Sequence, residues 1–326
     1  MLSRVADCLY WMSRYLERAE HTARALDVQL NLALDEAPWT ASEGWMCLLN
    51  GLRTDLPMET CADARAITHA LVLDRANPSS VLSCIASARE NARQIRESIT
   101  SEMWEEINHL YLNIRSLTID GLWSSGPHPL LRMIHRGGAF VAGVTDATMS
   151  HGDGWQFVRL GRFTERAMAV AWLLEAHFGI KDTHSPEEPA SEQFVAWAGL
   201  LRTFAAFEPY CKVHTVELRP RRILQFLLLN EELPHSVRFA SRQIEASIGG
   251  LRNHLGPGRS GELPRLAGRL AAQLSYTTID EVMAGDLADY LRDIVSQCVA
   301  IHDAVYAGYL TYDVAAALGS AATGSP

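Results

Sequence analysis

The chain has 326 residues, 48% hydrophobic and 21% charged, which suits one large or two ordinary globular domains and excludes a disordered chain. Its formal net charge is −9, so no basic surface marks a nucleic-acid-binding protein. Six cysteines, at 8, 47, 61, 84, 211 and 298, show no Cys-x-x-Cys pair and read as single buried thiols of a reducing compartment.

The N-terminal stretch "MLSRVADCLYWMSRYLERAE" enters charged helix at once and lacks the apolar core and cleavage site of a signal peptide. No long uncharged apolar run follows, so neither a transmembrane helix nor a membrane partner is expected. The cytoplasm is the expected location. Helical periodicity runs from end to end and strand-like alternation is nearly absent, which predicts an all-α fold.

The first helix is predicted over about residues 2–34. Leu2, Val5, Leu9, Met12, Leu16, Ala19, Ala23, Leu26 and Leu30 form a three-four seam for packing against other helices. The side opposite carries Tyr10, Arg14, Glu17, His21 and Arg24. Those charges are either surface pairs worth a few tenths of a kcal/mol or groups placed for particular partners.

The segment 87–108, "SARENARQIRESITSEMWEEIN", is denser in charge. Arg89, Arg93 and Arg96 are expected on one face with Glu97 beside them, and Ser101 is expected to cap the next helix. Glu102, Glu105 and Asn108 then recur every three residues, with Trp104 and Ile107 among them. Such a face would engage an arginine cluster, a cation or an amine, or simply face solvent.

Residues 157–175, "FVRLGRFTERAMAVAWLLE", align without gaps on residues 9–27, "LYWMSRYLERAEHTARALD". Arg14 matches Arg162, Glu17 matches Glu165 and Arg18 matches Arg166. The match predicts an internal repeat or a pseudo-symmetric helix pair. In the second copy the flanking polar positions turn apolar while Arg and Glu remain, which points to a buried pair needing acceptors from neighbouring helices. Gly, Pro and Ser punctuation at "DEAPWT", "LPMET", "DRANPSS", "SSGPHP", "SHGDG", "KDTHSPEEPAS", "ELPHS" and "HLGPGRSGELP" divides the chain into about ten helices. One continuous bundle over 1–326 is expected, with a disordered tail from about 318.

The segments "YWMSRYLERAEHTARALDV", "SARENARQIRESITSEMWEEIN", "GDGWQFVRLGRFTERA" and "FLLLNEELPHSVRF", in this order and spanning essentially the whole chain, resemble the bacterial alpha-E domain family. The resemblance implies an all-helical domain encoded beside, or fused to, a circularly permuted ATP-grasp protein, often with a transglutaminase-like cysteine peptidase nearby. ATP-grasp proteins of that type look like carboxylate-amine ligases, so the implied setting is an amidoligase system making or modifying an amide or peptide. The family's charged positions fall on Arg14, Glu17, Arg18, Arg89, Asn91, Arg93, Glu102, Trp104, Glu105, Asn108, Arg162, Glu165 and Arg166. His235 stands where the family tends to have Arg, which puts a fixed cation there in doubt.

Sharper chemistry finds less in the residues. Glu106 and His109 form one Glu-x-x-His unit of the di-iron type, but the matching Glu232 and His235 enclose Pro234, which a helix interior does not accept; no metal site is expected. His21, replaced by Ala169 in the second copy, reads as a surface histidine or a support for its charged neighbours. There is no Gly-x-Ser-x-Gly elbow, P-loop or dinucleotide fingerprint, and no cofactor is expected. Glu17, Glu165, Glu102 and Glu105 are the candidate acids and bases. Arg14, Arg18, Arg89, Asn91, Arg93, Arg96, Trp104, Asn108, Arg162 and Arg166 are the candidates for binding a peptide, amine or carboxylate, or for an ion network that fixes helix register.

Overall fold

The computed structural model describes residues 3–34, 38–57, 63–181, 190–251 and 261–310. They form an all-helical bundle with no strand among them. Two long helices make its axis, α1 (Ser3–Leu32) and α8 (Asp153–Lys181). Between them lie α2 (Pro38–Gly51), α3 (Ala64–Thr68), α4 (Val81–Gln94), α5 (Ser101–Ile114), α6 (Ile119–Ser125) and α7 (His128–Thr148). After them come α9 (Ala190–Thr203), α10 (Phe207–His214), α11 (Pro220–Leu229), α12 (Val237–Leu251), α13 (Glu262–Tyr276), α14 (Ile279–Ala284) and α15 (Leu287–Val305).

Among the described residues, fifteen α-helices replace the expected ten or so. Of the additional breaks, those before α6, α14 and α15 are set by caps, whereas α10 and α11 start without a side-chain cap, α11 on Pro220. Thr118 accepts from the Gly121 amide to start α6, Thr278 forms a capping box with Glu281 to start α14, and Asp286 accepts from the Asp289 amide to start α15. Thr100 rather than Ser101 caps α5, accepting from the Met103 amide. The α4 helix ends at Gln94, so Arg96 falls in a 3₁₀ turn beyond the helix of Arg89 and Arg93, with its guanidinium over the same Trp104 ring as that of Arg89. The expected tail from about 318 lies outside the described residues.

Contacts advance together along α1 and α8. Tyr10 lies against Gly161, Arg14 against Glu165 and Glu17 against Arg166, so the two helices run in the same direction. Their neighbours run against them. Around α1, contacts join Arg4 to Gln94, Asp27 to His128, Leu32 to Gly199 and Tyr10 to His302. Around α8, they join Cys47 to His177, Phe163 to Phe239 and Phe157 to Tyr309. Gly161 permits the close approach: a Cβ there would collide with the Tyr10 carbonyl and the Ser13 hydroxyl.

Two apolar clusters fill the bundle. One joins the first half of α1 to α8, α12, α13 and α15; the other joins the second half of α1 to α2, α4, α5 and α7. The predicted seam of α1 is buried from Leu9 to Leu30, with Leu9, Met12, Ala23 and Leu26 fully enclosed; Val5 is half-buried and Leu2 lies outside the described residues. The opposite stripe is covered too. Tyr10 is fully buried, and Arg14 and Glu17 are 4% and 6% exposed, so the surface reading of these charges gives way to a packed interface on both sides of the helix.

Candidate functional site

Arg14, Glu17 and Arg18 of α1 pair with Glu165 and Arg166 of α8 across the helix boundary, whereas Glu20 and Arg24 pair along α1. Glu165, 2% exposed, accepts from Arg14 Nε at 2.8 Å and from Arg18 Nε at 2.6 Å. Glu17 accepts from Arg166 Nε at 2.5 Å and from its Nη2 at 2.9 Å, a bidentate fork. Each arginine also has an anchor beyond its glutamate. Arg18 donates to Ser79 Oγ at 3.4 Å and Arg166 to the Pro234 carbonyl at 3.2 Å. The Arg14 guanidinium lies 4.8 Å from the Trp11 ring centre.

Burial would raise the Glu165 carboxyl, but the two guanidiniums outweigh it and hold the group below its usual range. Arg18 is shifted the other way by the same pairing, its cation held more firmly against the effect of burial. Glu165 is therefore a fixed carboxylate with both oxygens engaged, poorly suited to move a proton. The two buried thiols nearest the arginines are no better suited to nucleophilic attack. Burial pushes Cys84 and Cys298 up to about 12.

Arg162 behaves differently. It aligns with Arg14, yet among the described residues it has no hydrogen-bond or ion-pair partner. Burial lowers its pKa, with Glu17 as its main electrostatic support. It lines a small cavity between α1, α7 and α8 together with Ser13, Glu17, Glu20, Val158 and Ala142. Glu20 is held by Arg24 at 2.8 Å; burial, then the charge of Glu17, raises its carboxyl.

A second small cavity lies on the other side of Glu17 and Glu20 and is lined by His21, Arg24, Arg166, Phe204 and His235. His21 is no surface residue. Its ring stacks on Phe204 at 5.4 Å, and its Nε2 is buried with no hydrogen-bond partner among the described residues. Burial lowers it to about 4. His235 is also driven well down, by burial and then by Arg166, so that position carries a neutral ring and no fixed cation.

The third charged segment stays apart. Arg89 Nε donates to Asn108 Oδ1 at 2.7 Å and its guanidinium lies 4.7 Å from the Tyr111 ring centre. Arg96 lies 4.9 Å from the ring centre of Trp104, and Arg93 pairs with Glu90 on its own helix at 2.7 Å. Asn91 is half-buried on α4, while Glu102 and Glu105 are exposed on α5. None of these bonds reaches the α1–α8 charges. Glu106 and His109 stand 3.8 Å apart on α5, and no cluster of three metal-ligand side chains occurs among the described residues. Sequence reading missed Glu20, whose only signal was its place one turn before Arg24.

The chain contains two Glu-Arg dipeptides, at 17–18 and 165–166, and they supply the pairs that join α1 to α8. A family model described as Alpha-E, a predicted alpha-helical domain with a conserved ER motif, matches residues 1–310. The chain belongs to the Alpha-E family. It is similar to uncharacterised proteins of Mycobacterium bovis and Mycobacterium tuberculosis, each 23% identical over 322 residues. These alignments cover 90% of this chain and 35% of the relative, so this Alpha-E chain spans about a third of the length of the relatives it matches. No solved structure matches it. No helix among the described residues is long and apolar enough to cross a membrane.

Proposed function

We propose that this Alpha-E protein is a non-catalytic accessory module of an ATP-grasp amide-forming system, holding or presenting a peptide or amine substrate to the ligase. The observation that carries the non-catalytic part is the saturation of the two Glu-Arg carboxylates. Glu165 and Glu17 spend their oxygens on three guanidiniums of the opposite helix, which makes them a clamp between α1 and α8. Clamped carboxylates fix helix register; they do not meet substrate. The ligase as partner rests on the family resemblance of the four sequence segments. The mycobacterial relatives support a module that works beside other polypeptide, since most of their length lies outside the match.

The test is reconstitution with the cognate ATP-grasp protein. Co-purification, together with loss of amide formation when the Alpha-E protein is omitted, is the expected result. No association and full ligase activity without it would overturn the reading.

One observation favours a second reading, an enzyme with Glu20 as its acid. That carboxyl is raised and lines the same cavity as Arg162. Under this reading Glu20→Gln abolishes turnover while folding and ligase association remain; under the accessory reading it leaves amide formation unchanged.

A further inference from the structure

We propose that the cavity beneath Arg162 binds one small anionic group, of halide to carboxylate size. The inference goes beyond the accessory reading and does not depend on the ligase. It starts from charge. The α1–α8 interface gathers Arg14, Arg18, Arg24, Arg162 and Arg166 around Glu17, Glu20 and Glu165, two guanidiniums more than carboxylates. A buried excess of positive charge is costly without a counter-ion. Arg18, itself partly exposed, shares Glu165 with Arg14, which places one of the two surplus charges near solvent. The other is Arg162, half-buried like Arg18 but without a carboxylate bonded to it among the described residues. Glu17, Asp146 and Glu20 bear on it electrostatically, but none is within ion-pairing reach, and Glu17 and Glu20 are committed to Arg166 and Arg24.

The site also has the room for an ion. Around Arg14, the position that aligns with Arg162, the space is full. Tyr10 stacks on His302 at 5.6 Å and donates to or accepts from its Nδ1 at 3.0 Å, and Cys298 lies close enough for Arg14 to act on its thiol. In the helix alignment Tyr10 becomes Val158. Setting "TID" at 118–120 and "LRMI" at 131–134 beside "TID" at 278–280 and "LRDI" at 291–294 puts Ala142 and Gly138 in the places of His302 and Cys298. All three replacements are smaller, and all three line the cavity. Its free space, about 20 Å³ for the centre of a water-sized body, admits one or two such bodies. That size admits a halide or a single carboxylate head and excludes a larger ligand, and the two carboxylates that also line the cavity, Glu17 and Glu20, are paired with Arg166 and Arg24.

The experiment follows thermal unfolding of the full chain at fixed ionic strength while chloride, bromide or formate replaces a bulky organic anion, alongside crystals grown in bromide and read by anomalous scattering. A saturable rise in Tm of about 3 °C and a bromide peak beside Arg162 are expected. A response to halide alone assigns a free inorganic ion, and a response to formate as well assigns a carboxylate site. Arg162→Gln should fold, because it removes an unpaired, half-buried charge, and should lose the response. Ala142→Leu fills the cavity, keeps Arg162 and should lose it too. Equal Tm in all anions with no bromide peak overturns the proposal, as does a peak without a saturable Tm rise, which would mark an adventitious ion only.

Discussion

Glu165 and Glu17 occupy matching places on neighbouring parallel helices but carry unequal loads. Glu165 holds two arginines, Arg14 and Arg18, whereas Glu17 holds Arg166 alone, through both its oxygens. The difference lies in Arg14 and Arg162. Arg14 is pressed onto Glu165 by Tyr10, Trp11 and Met168; Arg162 faces Val158 and Ala142 across a cavity and pairs with nothing among the described residues. Equal sequence therefore does not give equal bonding. The apolar side chains packed around an arginine decide whether it reaches its carboxylate.

The widest separation of the two halves comes from removing each carboxylate. Glu165→Gln strands the buried Arg14 and the partly exposed Arg18 and should cost about 4 kcal/mol of folding stability. Glu17→Gln strands one guanidinium, which keeps the Pro234 carbonyl and the charge of Glu20, and should cost about 2 kcal/mol. Denaturant unfolding of the two variants measures the gap. Equal losses would mean that the unequal pairing has no energetic weight.

Acid should attack the Glu17 side first. The His21 pKa is near 4 in the folded chain against an ordinary 6.5, so the unfolded chain binds its proton more readily and stability falls as pH drops through that window. The shift corresponds to about 3 kcal/mol by pH 4. His235, also lowered, acts in the same direction. Glu20 acts in the other, since its raised carboxyl favours proton uptake by the folded state. Comparing the pH dependence of stability in the wild type and in His21→Phe isolates the first contribution. If the two profiles superimpose between pH 4 and 6.5, His21 does not supply the acid sensitivity.

Both halves depend on one close approach. Gly161→Ala places a methyl group against the Tyr10 carbonyl and the Ser13 hydroxyl, and α1 and α8 must part to admit it. We expect a loss of about 2 kcal/mol and a smaller additional effect of Glu165→Gln in that background, because parted helices pair less well. Additive losses in the double variant would show that the clamp does not depend on the glycine.

Much of this arrangement was legible in the residues. The seam of α1 and the all-helical class follow from periodicity, and the burial of Glu165 follows from its apolar neighbours, but Glu165 bonds to Arg14 and Arg18 and not to Arg162 of its own helix. The covering of the first copy was not legible, because Glu20, His21 and Arg24 look like a solvated face until α7 and α9 are laid over them. The additional helix ends were hidden for a related reason. Thr118, Thr278 and Asp286 stop and restart helices through single side-chain hydrogen bonds, which leave no composition shift. The fate of Arg162 depends on Gly138 and Ala142 of α7, residues with no chemical signal of their own.

The third charged segment supplies the smallest effect and the clearest contrast. Arg89 is half-buried, bonded to Asn108 and set over Trp104 and Tyr111, so its partners belong to a local pair of helices, α4 and α5. Its loss removes one neutral-acceptor hydrogen bond and exposed cation–π contacts but strands no buried charge. Arg89→Ala should therefore cost about 1 kcal/mol, and its effect should add to that of Glu165→Gln in the double variant, since the two sites share no partner. A coupling as large as the single Arg89→Ala effect would join this segment to the α1–α8 clamp and make one charged network of what the contacts show as two.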